Sequence, residues 1–243
     1  MRFRYHQPIP NFYQIENPQN PNSFISDGLL EEFRDIAIAS NFAGVSYSRL
    51  NDEFKDEWSI DWDNIIILKY FMSDSILKME PSKEKCRLED EEFQKFGFKT
   101  FVLADMLREN GFRADLINPL DDRVSLRAIA MQSNDAVITR SNMCMFKEGL
   151  NLGFFMIHTS IENLPVKKEN EMLWVGKYCE TCGVCIDRCP ENAFDSEDNF
   201  LRKLCTAHRE GCSRCIELCP FYKRGYDKVK KRYERMVEKW VIK

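Results

Sequence analysis

Eight of the ten cysteines of this 243-residue chain lie within residues 179–219, and their spacing constrains the fold more than any other feature. The first group reads C-x2-C-x2-C-x3-C-P and the second reads C-x6-C-x2-C-x3-C-P. Paired motifs of this kind are typical of a chain that holds two 4Fe-4S clusters. Three closely spaced cysteines wrap a tight loop around one corner of a cubane, and the fourth thiolate arrives from elsewhere in the chain.

The cysteine that precedes the proline is expected to cross over, because in two-cluster ferredoxins it binds the other cluster. The spacing therefore predicts two ligand sets: Cys179, Cys182, Cys185 and Cys219 for cluster 1, and Cys189, Cys205, Cys212 and Cys215 for cluster 2. Pro190 and Pro220 prevent a simple continuation of the local turn, since proline has a fixed φ and no amide donor. Gly183 and Gly211 have no Cβ, which lets backbone amides approach the sulfides.

Two other uses of the cysteines remain open at this stage. Zinc also binds four cysteines, but usually through two C-x2-C pairs, without a need for the third close cysteine or the C-P step. Disulfides are typical of secreted proteins, and nothing in the sequence indicates secretion. The remaining cysteines are predicted not to be ligands, because Cys86 stands alone in a polar stretch and Cys144 lies in an apolar run.

Composition limits the classes of function and the location. Hydrophobic residues make up 44% of the chain, which is enough for a core outside the cysteine region, and the net charge of −4 argues against a nucleic-acid binder. No apolar run approaches the ~18 residues of a membrane span, and the first residues show no export signal. Oxygen-sensitive clusters without an export signal predict a protein of the cytoplasm, in an anaerobe or microaerophile.

The sequence predicts an α+β fold in four parts. Residues 1–26 form an extended arm, residues 27–175 an α/β layer, residues 176–222 the ferredoxin-like cluster region, and residues 223–243 a basic amphipathic helix. The arm contains Pro8, Pro10, Pro18 and Pro21 but is too apolar for an obvious free tail. We expect it to lie over another surface, for which a second subunit of a homodimer is one candidate; a disordered tail is the alternative.

Periodicity predicts the main elements of these parts. They are a helix from Ser26 or Asp27, a buried strand at Ile65–Leu68, a loop over 73–90, a long helix at Phe93–Asn110 followed by Gly111, strands near 112–117, 143–146 and 154–157, a short helix at 126–131, and the terminal helix Tyr226–Val241. One face of the terminal helix is rich in lysine and arginine. That face is either simply solvated or a docking surface for an acidic electron donor.

The order of these segments, over residues 27 to about 225, resembles the epoxyqueuosine reductase and reductive dehalogenase superfamily. The resemblance rests on Leu29–Leu50, Asp61–Phe71, Phe101–Asp115 and the layout of Leu126–Pro165, followed by the two cluster motifs. It implies a nitroreductase-like domain that binds cobalamin, placed before a two-cluster ferredoxin domain. The C-x6-C spacing of the second motif is more similar to the dehalogenase version.

The sequence departs from the family in the segment expected close to the corrinoid. The family has a glycine-rich loop there, whereas this chain has Gln132–Asn142, in which only Arg140 and Asn142 match the family pattern. These two residues are the candidate cofactor contacts. The catalytic acid of the epoxyqueuosine reductases would fall near Asp121 or Asp122. The missing glycines favour a domain that keeps the shape without the corrinoid.

Two functions follow from these observations. The first is an electron-transfer protein whose two clusters pass single electrons between a low-potential donor and a redox partner or bound cofactor. The second is a cobalamin- or flavin-dependent reductase with its site in the α/β layer, for which Arg123 and His158 are further weak candidates. A sensor without turnover is a third class. The deciding feature is a partly apolar cavity next to a cluster, which an enzyme needs and a carrier does not.

Overall fold

The computed structural model describes residues 7–58, 63–120, 124–195, 197 and 199–241. The helices are α1 (Asp27–Ala39), α2 (Asp52–Trp58), α3 (Asp74–Leu77), α4 (Lys83–Glu109), α5 (Leu126–Gln132), α6 (Trp174–Cys182), α7 (Val184–Asp187), α8 (Ala207–Glu210), α9 (Arg214–Leu218), α10 (Pro220–Arg224) and α11 (Tyr226–Val241). The strands are β1 (Gly44–Arg49), β2 (Asn64–Phe71), β3 (Ala114–Leu116), β4 (Ala136–Ile138), β5 (Cys144–Phe146) and β6 (Leu152–Thr159). Within these residues, no helix has the length and apolar character needed to cross a membrane.

The main sheet has the strand order β1-β2-β6-β3, and each neighbouring pair is antiparallel. In its centre Ile66 of β2 pairs with Ile157 of β6. β4 and β5 form a separate antiparallel hairpin, which the sequence analysis did not predict as such because β4 is only three residues long. The mixed α+β class predicted from the sequence is confirmed.

The sheet is buried on both faces, and its central strand shows why. β2 contains the continuous apolar run Ile65–Leu68, and successive side chains point to opposite faces. Ile66, Leu68 and Tyr70 pack with α1 and α4 in one core. Ile65 and Ile67 pack on the other side with α5 and the β4–β5 hairpin. A third, smaller core joins that hairpin to α6, α10 and α11, and so attaches the cysteine region to the sheet.

The helix ends follow local capping chemistry. The hydroxyl of Ser26 accepts a hydrogen bond from the Leu29 amide and begins α1, as predicted. Gly111, with φ of 81°, follows the end of α4 in the left-handed conformation that glycine adopts without strain. The terminal helix Tyr226–Val241 has the predicted bounds.

The predicted loop over residues 73–90 is wrong. This segment contains α3 and the first turns of α4, which begins at Lys83 with the Ser82 hydroxyl accepting from the Lys85 amide. The many charged residues of this segment concealed its helical pattern, because the burial of Lys85 depends in part on Ser213, which is distant in sequence. Cys86 therefore lies on a buried helical face and not in a loop.

The described part of the N-terminal arm, residues 7–26, contains no helix or strand and lies across α4 of the same chain. Two aspartates of α4, Asp90 and Asp105, accept hydrogen bonds from the backbone amides of Gln7 and Gln14, each at 2.8 Å. Ile9 fills the space next to Gly97, where a Cβ would come within 2.5 Å of it. The surface beneath the described part of the arm is thus α4 of the same chain.

A buried charge cluster joins β2 to the hairpin side of the sheet. Lys69 is 1% exposed, and its ammonium lies 3.3 Å from the carboxylate of Asp135 and also contacts Glu148. Asp135 further accepts from Ser46 and from Lys167. Burial alone would raise the pKa of Asp135, but these cations and the hydroxyl outweigh it and hold the pKa below its usual value.

Replacing Lys69 by methionine is expected to lower the free energy of unfolding by about 3 kcal/mol at pH 7, because it leaves a buried carboxylate without its main partner. Urea denaturation measures this. The pKa of Asp135 should rise in the variant, so the deficit should shrink below about pH 4, where the carboxyl becomes protonated. Lys167→Met is the matched control: that side chain is 54% exposed, so its loss should cost much less. Equal losses in the two variants would contradict the assignment.

Candidate functional site: two cysteine-lined cavities

The cysteine region folds as short helices separated by left-handed glycines. Cys179 and Cys182 lie on the last turn of α6, and Gly183, with φ of 60°, turns the chain so that Cys185 on α7 faces back toward them. Gly211, with φ of 69°, makes the equivalent turn between α8 and Cys212. A residue with a Cβ would be strained at either glycine. The close C-x2-C spacing can therefore fold into a loop instead of one continuing helix.

The first cavity is small and is lined by cysteines from both motifs. Cys179, Cys182 and Cys185 of the first motif meet Cys219 of the second, with Arg140 and Tyr178 nearby. These four are the residues that the sequence analysis assigned to cluster 1.

The second cavity is larger, about 650 Å³, and also draws on both motifs. Cys189 of the first motif lies here with Cys205, Cys212 and Cys215 of the second, which is the set assigned to cluster 2. Cys185 lines both cavities, so the two sites adjoin.

Electrostatic influence between the thiols extends from one motif to the other. Burial raises the pKa of Cys219 to about 12, and among the thiols Cys179 and Cys185 of the other motif raise it further. Burial also raises the pKa of Cys205, with added effects from Cys212 and from Cys189. Each cysteine that precedes a proline is therefore close to the other motif's cysteines.

Backbone amides point at several of these sulfurs. The amide of Ala193 donates to Cys189 Sγ at 3.4 Å. Backbone hydrogen bonds from Arg140 to Cys179 and from Phe221 and Tyr222 to Cys219 lower the pKa of those thiols against the raising effect of burial. Amide donors stabilise a thiolate and tune a cluster bound to it. The donor set thus suits deprotonated, metal-bound sulfur.

All ten cysteines have free thiols. Among the described residues, no three His, Cys, Asp or Glu side chains gather closely enough to hold one metal ion. A single zinc ion needs its ligands grouped around one point, whereas each thiolate of a cubane binds its own iron at a separate corner.

Beyond the cysteines, the larger cavity is mainly apolar. Its walls come from the sheet side, from the hairpin and from the loop after α7, with Met72, Leu152 and Phe154 facing Phe194 and Phe200. Arg127 lies on this wall and donates to the backbone and side-chain oxygens of Asn142 at 3.0 and 2.7 Å. The sequence analysis missed Arg127, because only the α5–hairpin packing brings it to the cavity. Cys144 also lies here, and burial raises its pKa to about 12.

The residues predicted from the sequence as catalytic or cofactor-binding candidates do not gather at one site. Arg140 lies at the first cavity, where its guanidinium donates to the carbonyl of Glu180, and Asn142 lies at the second. Asp121, Asp122 and Arg123 are outside the described residues. His158 lies on β6 with Asp115 3.9 Å away and lines neither cavity. Arg140 and Asn142, expected to act together, thus belong to different cavities.

One buried cation connects α4 to the loop between Cys212 and Cys215. The ammonium of Lys85, which is fully buried, donates to the carbonyls of Leu77 and Met79 at 2.7 and 2.9 Å and to Ser213 Oγ at 2.7 Å. The amide of Ser82 also donates to the carbonyl of Glu210 at 2.7 Å. These bonds fix the cysteine loop of the second cavity against the start of α4.

Lys85→Met should lower the free energy of unfolding by about 3 kcal/mol, since two buried carbonyls and a hydroxyl lose their donor. Denaturation followed by circular dichroism measures the change. Lys83→Met, two residues earlier on an exposed position of the same helix, should change stability by less than about 0.5 kcal/mol. If the two variants behave alike, Lys85 does not hold the loop.

This chain is similar to known proteins in its fold. No protein-family model matches the chain, and no curated protein matches it in sequence. Among solved structures, the catabolic reductive dehalogenase NpRdhA, bound to 3-bromo-4-hydroxybenzoic acid, is similar over 79% of this chain and 31% of its own, with 15% identity and a TM-score of 0.65. A reductive dehalogenase described in terms of B12-dependent dehalogenation matches over 88% of this chain and 36% of its own, with 15% identity and a TM-score of 0.68.

An epoxyqueuosine reductase is also similar, over 82% of this chain and 66% of its own, with 16% identity and a TM-score of 0.54. The chain spans about a third of the length of the dehalogenases it matches. At these identities the likeness concerns the fold. The resemblance predicted from the segment order is therefore confirmed at that level: the fold of this chain is similar to the folds of these reductive dehalogenase and epoxyqueuosine reductase structures.

Proposed function

We propose that the chain is an iron–sulfur redox protein that carries two 4Fe-4S clusters and passes single electrons through them to a compound bound in the larger cavity. The observation that carries this proposal is the gathering of the cysteines into two crossed sets around two adjoining cavities. Cys179, Cys182, Cys185 and Cys219 would hold cluster 1, and Cys189, Cys205, Cys212 and Cys215 cluster 2. When bound, each cluster would accept and release one electron at a time.

The cavity supports electron delivery to a bound compound over simple transport. Its volume of about 650 Å³ lies within the roughly 300–1,000 Å³ typical of small-molecule sites, and a cubane fills only part of it. Apolar walls exclude water from the space beside cluster 2, while Arg127 and Asn142 provide polar groups for orientation. An exposed cluster edge would suffice for a carrier without a substrate, which remains the second candidate function because the glycine-rich loop of the family is absent.

Two features of this site argue against cobalamin. A corrinoid with its nucleotide tail is far larger than a drug-sized ligand, and cluster 2 would already occupy part of the cavity. The segment that replaces the glycine-rich loop also carries side chains where the family has glycine. Of these residues, Ser133 and Asp135 are buried and hydrogen-bonded. Asn134 and Asn142 adopt the left-handed conformation, with φ of 54° and 61°, which asparagine tolerates better than most residues. The backbone turns are thus kept by asparagine in a segment that has lost the family's glycines.

The crossed ligand sets can be tested by counting iron in paired variants. Cys189→Ala should remove cluster 2 and leave about four irons. Adding Cys212→Ala should remove little more, because both residues belong to the same cluster. Adding Cys182→Ala instead should remove nearly all the iron. The reverse pattern would show that each motif holds its own cluster.

Cys86→Ser and Cys144→Ser serve as controls for the general effect of removing a buried thiol. Both should keep the iron content of the unchanged protein, since Cys86 lines neither cavity and Cys144 lies on the β5 wall of the larger cavity, outside the two cysteine motifs. A loss of iron in either variant would show that the eight ligands were wrongly chosen.

The role of the cavity can be tested by filling it. Met143 lines the cavity and is partly exposed, so Met143→Trp should reduce the space with little effect on the fold. We expect oxidation of reduced methyl viologen by small organic acceptors to fall about tenfold or more, while iron content and cluster reduction stay unchanged. Met143→Leu, of similar volume, should keep the activity. Equal turnover in all three proteins would place the acceptor elsewhere.

A further inference from the structure

We propose that the outer face of α11 is the surface at which a small acidic iron–sulfur carrier protein delivers electrons to cluster 1. The face consists of Lys228, Lys231, Arg232 and Arg235 and is called the basic face below. The inference rests on the proposed function, because it needs a cluster in the first cavity. Beyond the proposed function, it identifies the kind of protein that donates the electrons and the direction in which they flow.

The basic face is positively charged, although the chain as a whole is negatively charged. Residues 223–238 contain seven lysines and arginines against three acidic residues, whereas the whole chain has a net charge of −4. The four residues of the basic face are exposed and lie on one side of the helix. Within the described residues, none of them forms an ion pair with a carboxylate. An uncompensated patch of this kind attracts an acidic partner and speeds its association.

The opposite side of α11 packs on the aromatic residues that border the first cavity. Tyr226 and Tyr233 contact Trp174, whose indole N–H donates to the Tyr226 hydroxyl at 2.9 Å, and the Trp174 and Tyr233 rings stack with centroids 5.2 Å apart. The same core includes Tyr178 and the partly buried cysteines Cys179, Cys182 and Cys219. One layer of aromatic side chains therefore separates the helix from the cluster 1 ligands.

The ring of Tyr178 shows how close the basic face is to those ligands. Its edge-to-face contact with Tyr233 has a centroid distance of 6.1 Å. Tyr178 directly precedes Cys179, and both residues line the first cavity together with Cys182 and Cys219. Tyr178 thus lies between α11 and the cluster 1 ligands. A protein docked there would bring its own redox centre next to cluster 1.

The direction of flow follows from the position of the two cavities. The larger cavity adjoins the cluster 2 ligands, and Cys185 lines both sites. An electron received beneath α11 would pass from cluster 1 to cluster 2 and then to the compound in the cavity. In the docking step the reduced carrier loses one electron and the oxidised cluster 1 gains it, and no bond forms or breaks. Nucleic acid or an anionic lipid surface would also match the charge, but neither makes use of a redox centre directly beneath the face.

The test uses the protein with both clusters in place, mixed anaerobically with a reduced, strongly acidic bacterial two-cluster ferredoxin in a stopped-flow spectrometer. The basic-face variant is Lys228→Glu/Lys231→Glu/Arg235→Glu, which leaves Arg232 unchanged. The control variant is Lys55→Glu/Lys95→Glu/Lys168→Glu, which makes the same change in net charge on the α/β layers. We expect the basic-face variant to slow electron transfer at least tenfold at low salt and the control variant to change it less than twofold. The difference should nearly vanish at about 1 M salt, where the screening length is ~3 Å.

Reduced methyl viologen is a small cation that can reduce the clusters without docking on the basic face. Its reaction therefore tests the proposed function independently of the docking surface. It should reduce the clusters of both variants at least as fast as those of the unchanged protein. If viologen reduces the clusters but the ferredoxin reacts equally with both variants, or not at all, the docking surface is wrong and the proposed function stands. If no iron is bound, both fail. Binding of RNA or anionic vesicles that depends on the basic face, with unchanged ferredoxin rates, would also overturn the inference.

Discussion

The arrangement of this protein depends on β2, a strand buried on both of its faces. Its alternating side chains build one core with α1 and α4 and another with α5 and the β4–β5 hairpin. The second layer carries Arg127, Asn142 and Cys144, which form one wall of the larger cavity. The cysteine region then docks on this layer and on the start of α4. A shift in register of β2 would exchange its two faces, and the wall of the cavity would be lost with it.

Buried cations hold the layers in this arrangement. Lys69 connects β2 to the carboxylate of Asp135, next to the hairpin, and Lys85 connects α4 to the loop between Cys212 and Cys215. Each bridges segments that are far apart in sequence. Buried ionic groups of this kind add little stability over apolar packing but are costly when one partner is missing, so they favour one docking geometry. The position of the cysteine loops relative to the cavity depends on that geometry.

Much of the fold could be predicted where the signal is local. The Ser26 cap, the apolar run of β2 and the amphipathic period of α11 are properties of neighbouring residues, and the structure shows them all. The start of α4 could not be predicted, because Lys85 is buried by contacts with Ser213, which is 128 residues away. Arg127 was missed for the same reason. Arg140 and Asn142, two residues apart, line different cavities because the turn between β4 and β5 directs them apart.

The proposed function requires two iron–sulfur clusters in the crossed cysteine sites. The iron, sulfide, zinc and cobalt content of anaerobically purified protein, recorded with its absorption spectrum, tests for them. We expect about eight irons and eight sulfides per chain, without cobalt. Zinc in place of iron, at about one or two ions per chain, would contradict the proposed function.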